Sequence, residues 1–170
     1  VVCWQFPEWF IAQIEEVVDG VVRRPLVHRD TLNRGKFEKN RKKYPVVPVR
    51  FAQACPNRPV SDLAWPGFVR AGAPRCTREL GIEERGSSGD LGDIHVHCAC
   101  GARRRFSEAA TVPALGYCRG ERPWLGSHSP EECKSAEGKA VPNRLLIRSA
   151  TNAYFAQTLN AISLPDPAER

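Results

Sequence analysis

The sequence predicts an α+β fold: short central antiparallel strands around a zinc-ribbon-like cysteine knuckle, with flanking helices. Three observations predict it. Short β-branched or alternating runs lie in the middle of the chain, apolar residues recur at three-to-four spacing near both ends, and six of the seven cysteines fall between Cys55 and Cys133. The expected organisation is a helical segment over 1–28, a basic loop or linker over 29–45, a cysteine-rich β region over 46–150 and a terminal helix over 151–170.

In the first segment, Phe10, Ile14, Val17 and Val18 recur at helical spacing, and Gly20 is a natural stop, so Pro7 to Gly20 reads as a packing helix. Thr31 to Tyr44 lacks an apolar period and ends before Pro45, which reads as a loop. Val46 to Cys55 reads as a strand with Val47, Val49 and Phe51 on one face, which lies at an edge or begins late because of Pro48. Ser61 can cap a short turn through Leu63, Ala64 and Trp65, which Pro66 bends or stops. The stretch GIEERGSSGDLGDIHVHCACG reads as a hairpin, with Ile94 and Val96 facing one way and His95 and His97 the other. Ala102 to Ala110 reads as a short basic helix, Arg144 to Ser149 as a strand, and Thr151 or Asn152 as the cap of a helix carrying Tyr154, Phe155, Leu159 and Ile162.

Charge is concentrated rather than spread. The net charge is +6, and Arg29 to Arg50 alone holds eight Lys or Arg against Asp30 and Glu38. Such a run attracts phosphate polyanions or an acidic surface, or is simply solvated. Lys36, Lys39, Arg41, Lys42 and Lys43 are the candidate nucleic-acid contacts, joined by Arg103, Arg104 and Arg105. Trp65, Trp124 and Tyr154 either stack on bases or anchor a core. No apolar run reaches the roughly 18 residues of a membrane helix, so a cytoplasmic protein with no membrane partner is expected. The chain starts at Val1 and contains no Met, which points to a piece of a longer protein.

Cys98-Ala99-Cys100-Gly101 is the tightest motif: two thiols two positions apart, followed by a glycine that can turn backbone amides toward sulfur. Cys76, Cys118 and Cys133 can complete a tetrahedral set. Thiolates favour zinc, and a closed four-thiolate site would be a structural staple worth on the order of 10–16 kcal/mol in small zinc peptides. Unpaired buried thiols are the first rival reading, and disulfides, in an extracellular binding module, the second, against which the odd count argues. Asp90, Asp93, His95 and His97 carry the enzyme alternative, a metal-dependent nuclease. There is no Gly-Lys-Ser or Gly-Lys-Thr phosphate loop and no Gly-x-Ser-x-Gly elbow, which excludes a self-contained ATPase motor and an esterase of that type.

Four ordered segments, VPVRFAQACP, SSGDLGDIHVHCACG, ERPWLGSHSPEEC and IRSATNAYF, together resemble the DrmB family of the DISARM antiphage system, from about Phe6 to Pro165. The resemblance implies a non-catalytic, zinc-binding subunit that joins a DrmA-like superfamily 2 helicase in a hetero-oligomer and helps engage phage DNA. It carries Cys98, Cys100, Cys118 and Cys133 over as the metal set, with Cys76 as the substitute. The family's Cys-x-x-Cys pair after the Phe-Pro opening is replaced here by Phe10-Ile11-Ala12-Gln13-Ile14. Its Gly-His after Cys-Pro is replaced as well, by Arg58-Pro59 after Cys55-Pro56-Asn57, which puts Cys55 in doubt as a ligand. A protein-interaction scaffold without DNA contact is the other alternative.

Overall fold

Period-two burial governs the chain from its first element. In the computed structural model, which describes residues 5–18, 20–57, 59–71, 76–85, 89–123 and 133–147, Phe10 and Ala12 are buried while Trp9 and Ile11 are half-buried, so Trp9–Ala12 is strand β1. Glu16–Val18 (β2) and Val21–His28 (β3) pair as a hairpin turning at Gly20, whose φ is +76°. An Asp-Gly pair between two Val-Val pairs is a strong hairpin signal. The expected N-terminal helix is therefore corrected: Phe10 and Val17 occupy different strands, and their helix-like spacing is incidental.

The basic segment is also not a loop. Phe37–Lys39 (β4) and Lys42–Tyr44 (β5) form a separate hairpin, turning through Asn40 and Arg41 at φ +52° and +62°. Val46–Pro48 (β6) pairs with β1, whereas Phe51–Ala54 (β7) pairs with Val60–Ser61 (β8) and Arg144–Ile147 (β12). The single strand expected over Val46 to Cys55 thus passes from one sheet to another around buried Val49, and Val47 is left exposed.

Leu80–Glu84 (β9), Ile94–Cys98 (β10) and Arg103–Arg105 (β11) complete a seven-stranded sheet of order β11-β10-β9-β3-β1-β6, with β2 on β3 and every pair antiparallel. The basic helix expected over Ala102 to Ala110 is instead β11 followed by a 3-10 turn, Phe106–Ala110. Among the described residues the α-helix is α1, Trp65–Val69, with Pro66 in its first turn rather than at its end. The α+β class with flanking helices gives way to a β-rich fold, since β-branched residues and hairpin turns dominate the described chain. Residues 151–170, where a terminal helix was expected, lie outside the described residues.

One face of the large sheet, carrying Leu26, Leu80, Ile82, Ile94, Val96 and Cys98, packs on Val49, Phe51, Trp65, Phe68 and Phe106. Phe106 is the hub, with ring centroids 4.3 Å from Phe51, 5.5 Å from Trp65 and 5.8 Å from Phe68. Trp65 is fully enclosed, so of the two roles its sequence left open, core anchor and base-stacking platform, it takes the core one; Trp124 and Tyr154 lie outside the described residues.

Candidate metal centres

Six cysteines gather in two groups of three, Cys76 with Cys98 and Cys100, and Cys55 with Cys118 and Cys133, the sulfurs of each group lying within 4.8 Å of one another. The single set of Cys98, Cys100, Cys118 and Cys133 is thereby divided. Its knuckle pair meets Cys76, and its other pair meets Cys55; Cys98 ends β10 of the large sheet, whereas Cys55 follows β7 of the three-stranded sheet. Cys3 lies outside the described residues.

In the first centre, β10 delivers Cys98 to a turn in which the Gly101 amide donates to the Cys98 carbonyl (2.9 Å) and the Cys98 amide to the Ala102 carbonyl (2.8 Å). Gly101 sits at φ +97°, a conformation that glycine adopts without strain. This turn sends the chain into β11 and leaves Cys100 exposed at the tip. Cys76 faces Cys98 across 3.8 Å between sulfurs, and the Arg78 amide donates to the Cys76 sulfur at 3.4 Å. Arg70, only 9% exposed, directs Nε and Nη2 to the Cys98 sulfur at 3.3 and 3.1 Å, and also donates to the carbonyls of Cys76 and Arg78. Its hydrogen bonds to Cys98, against the opposing effect of burial, push its own pKa above the ordinary arginine value.

In the second centre, Cys55 closes β7 and accepts the Asn57 amide at 3.4 Å, while the Gly120 amide donates to Cys118 at 3.3 Å. Cys55 and Cys133 are 3.4 Å apart, and Asn57 Nδ2 donates to Cys133 at 3.4 Å and to the Lys134 carbonyl at 3.0 Å. Burial pushes the Cys118 thiol up to about 12 and raises Cys55 as well. Burial acts upward on Cys133 too, but hydrogen bonds from Cys55, Asn57 and Cys118 outweigh it and hold that thiol below its ordinary value.

These separations exceed a disulfide's roughly 2.05 Å and approach the about 3.8 Å edge of a tetrahedron of sulfurs around an ion bound at about 2.3 Å. Cys55, Cys76 and Cys118 each accept an amide from two residues on, which stabilises thiolate over thiol. The donor set therefore suits a metal ion, whose charge would also reverse the upward push of burial. Cys55, doubtful by sequence, and Arg70, which no motif flags, are the residues that sequence reasoning missed. The Cys-Pro-Asn turn was the one local sign of Cys55.

The nuclease constellation separates. The Asp90 carboxylate caps the turn before β10 by accepting the Gly92 amide at 2.7 Å. His95 and His97 face Arg105 and Arg103 across β10 and β11, and among the described residues the groups of three or more potential metal ligands are the two cysteine triads.

Of the basic candidates, Lys36, Arg41, Lys42 and Lys43 are exposed on or beside the β4–β5 hairpin. Lys39 is engaged, with Nζ 2.5 Å from Glu16 and 3.7 Å from Glu79, which raises its pKa. Alternation splits the three arginines of β11. Arg104 turns inward, pairing with Glu108 at 2.9 Å and lying 4.6 Å over the Phe68 ring, while Arg103 and Arg105 share the outer face with His95 and His97.

A β-rich scaffold carrying two cysteine centres is the class of protein these features define. The chain belongs to the family of DUF8724, a domain of unknown function, whose model matches residues 1–155. No curated protein matches the chain. No helix among the described residues is long and apolar enough to cross a membrane.

Proposed function

We propose that the chain is a non-catalytic accessory subunit whose two cysteine centres bind structural zinc and whose β4–β5 hairpin contacts nucleic-acid backbone. The resemblance to helicase-associated antiphage subunits supports a cytoplasmic complex with a superfamily 2 helicase, in which that partner supplies the ATPase. The observation that carries the reading is the hairpin itself. Four exposed cations, Lys36, Arg41, Lys42 and Lys43, lie on or beside a two-stranded ribbon whose turn end is tied to the body through Lys39 and Glu16. A ribbon presents charge to phosphates without reading base edges.

In each centre three thiolates would hold the ion together with a fourth ligand from outside the triad, and zinc would supply a staple with no redox chemistry. Fluorescence anisotropy with a labelled duplex tests the reading. Lys42→Gln/Lys43→Gln should weaken binding and lower the salt dependence by about two, near 0.9 per lost phosphate contact. Unchanged affinity and slope, with and without the helicase, would leave the hairpin as solvated surface and the chain as a protein-interaction scaffold.

A further inference from the structure

The outer face of the large sheet holds a row that neither the hairpin nor the cysteines explain. Register aligns Arg105, His95, Glu83, Arg23 and Glu16 across five strands, from β11 to β2. Glu83 is 0% exposed although it lies on this outer face, because guanidinium groups roof it over. Its Oε1 accepts from Arg85 Nε at 2.5 Å and Arg103 Nη2 at 2.7 Å, and Arg23 Nε stands 3.6 Å from Oε2. Burial alone would raise this carboxyl, but the Arg85 hydrogen bond and the charges of Arg103 and Arg85 hold it below the ordinary glutamate range.

One carboxylate neutralises one of three guanidiniums, so the cluster keeps a surplus of two positive charges. The Arg85 and Arg103 side chains remain 51% and 39% exposed. A guanidinium has five donors, and an edge spent on Glu83 leaves the others turned to solvent in a fixed direction. Gly81 makes room beside them, since a Cβ there would collide with the His97 imidazole.

The row also joins the hairpin. Glu16 at its end receives Lys39 from β4, so cations continue from exposed Arg105, Arg103 and Arg85, past half-buried Arg23, toward exposed Arg41, Lys42 and Lys43. Four strand-to-strand steps of about 4.8 Å make the sheet part alone roughly 19 Å wide, the rise of about five to six base pairs. A track of that length, with forked donors at one end and lysines at the other, complements a phosphodiester backbone better than a single small anion.

We propose that this face is a second phosphate-contact site, in which Glu83 positions Arg23, Arg85 and Arg103 to grip the same nucleic-acid backbone that the hairpin engages. This rests on the reading that the chain binds nucleic acid, and the test separates the two. Metal-loaded full chain is titrated with a labelled duplex at several salt concentrations, comparing Arg85→Gln/Arg103→Gln, Lys42→Gln/Lys43→Gln, the quadruple variant and Glu83→Gln. Melting temperature and zinc content report on folding. Each double variant should lower the salt slope by about two, and the quadruple by the sum. Glu83→Gln removes a negative charge yet should weaken binding roughly fivefold, because the guanidiniums lose their anchor.

Tighter binding by Glu83→Gln would overturn the positioning role. A wild-type affinity and slope in Arg85→Gln/Arg103→Gln, alongside loss in the hairpin variant, would make the cluster a structural ion network or a seat for an acidic protein surface. Absence of binding by the wild-type chain and its helicase complex would sink both proposals together. Both arginines are partly exposed, so their variant tests the site even if Glu83→Gln fails to fold.

Discussion

Asp62 shows how one enclosed carboxyl shapes stability. Burial pushes it up to about 6; the Glu8 amide, donating to Oδ2 at 2.8 Å, pulls the other way. An acid whose folded pKa lies above its unfolded value holds its proton longer when folded, so stability falls as pH rises from about 4 to about 6 and stays lower above. Asp62→Asn, which keeps an acceptor for Glu8, should gain about 1–2 kcal/mol at pH 7 and flatten that slope, as denaturant titrations at pH 4.5 and 7 would reveal. The cysteines make the second prediction at this scale. Cys55→Ala and Cys100→Ala should each remove about one equivalent of metal and leave the other centre loaded, as elemental analysis of purified protein can count. Loss of all metal from either variant would mean one shared site.

At the scale of elements, the β4–β5 hairpin sets stability against binding. Lys39 and Lys42 lie directly opposite, a repulsive pairing that Glu16 and Glu79 offset. Arg41 occupies a left-handed conformation that suits glycine better. Arg41→Gly should therefore stabilise the protein by about 0.5–1 kcal/mol while weakening nucleic-acid binding; a variant that improved both would detach the turn from the contact surface. In β9, Gly81→Ala should cost about 1–3 kcal/mol by displacing the His97 ring, and His97→Ala should suppress most of that loss in a double-mutant cycle. The elements were partly legible. The β9–β10 hairpin followed from a Gly/Ser/Asp cluster between alternating runs, and the signal for β2–β3 was present in Val17-Val18-Asp19-Gly20-Val21-Val22. The spacing of Phe10, Ile14 and Val17 fits a helix equally well over so short a window, and only pairing partners decide between them.

Across the whole molecule, the centres close loops of very different length. Cys55 and Cys133 are 78 residues apart in sequence, Cys76 and Cys98 only 22. Closure entropy grows with the logarithm of loop length, so loss of the Cys55 centre should cost about 1 kcal/mol more than loss of the Cys76 centre. Chemical denaturation of Cys55→Ala against Cys76→Ala measures the difference, and an equal or reversed order would show that local strain, not chain entropy, sets the staple's worth. The Cys76 centre joins the core of the aromatic hub through Cys98, and there Phe106→Ala should cost about 3–5 kcal/mol.

Sequence alone determined what depends on residue type and near neighbours: thiols suited to a soft ion, a surplus of positive charge in one short segment, and the turn that brings Cys98 and Cys100 together. Tertiary structure decided what depends on register and long-range closure. It divided the cysteines between two centres, drew Cys55 and Arg70 to them, turned the basic segment into a ribbon, and roofed Glu83 with three arginines, two from other strands and one just past its own. The physical reason is that β pairing is non-local. A strand's partners, and hence the groups beside each side chain, lie tens of residues away, where no spacing rule reaches.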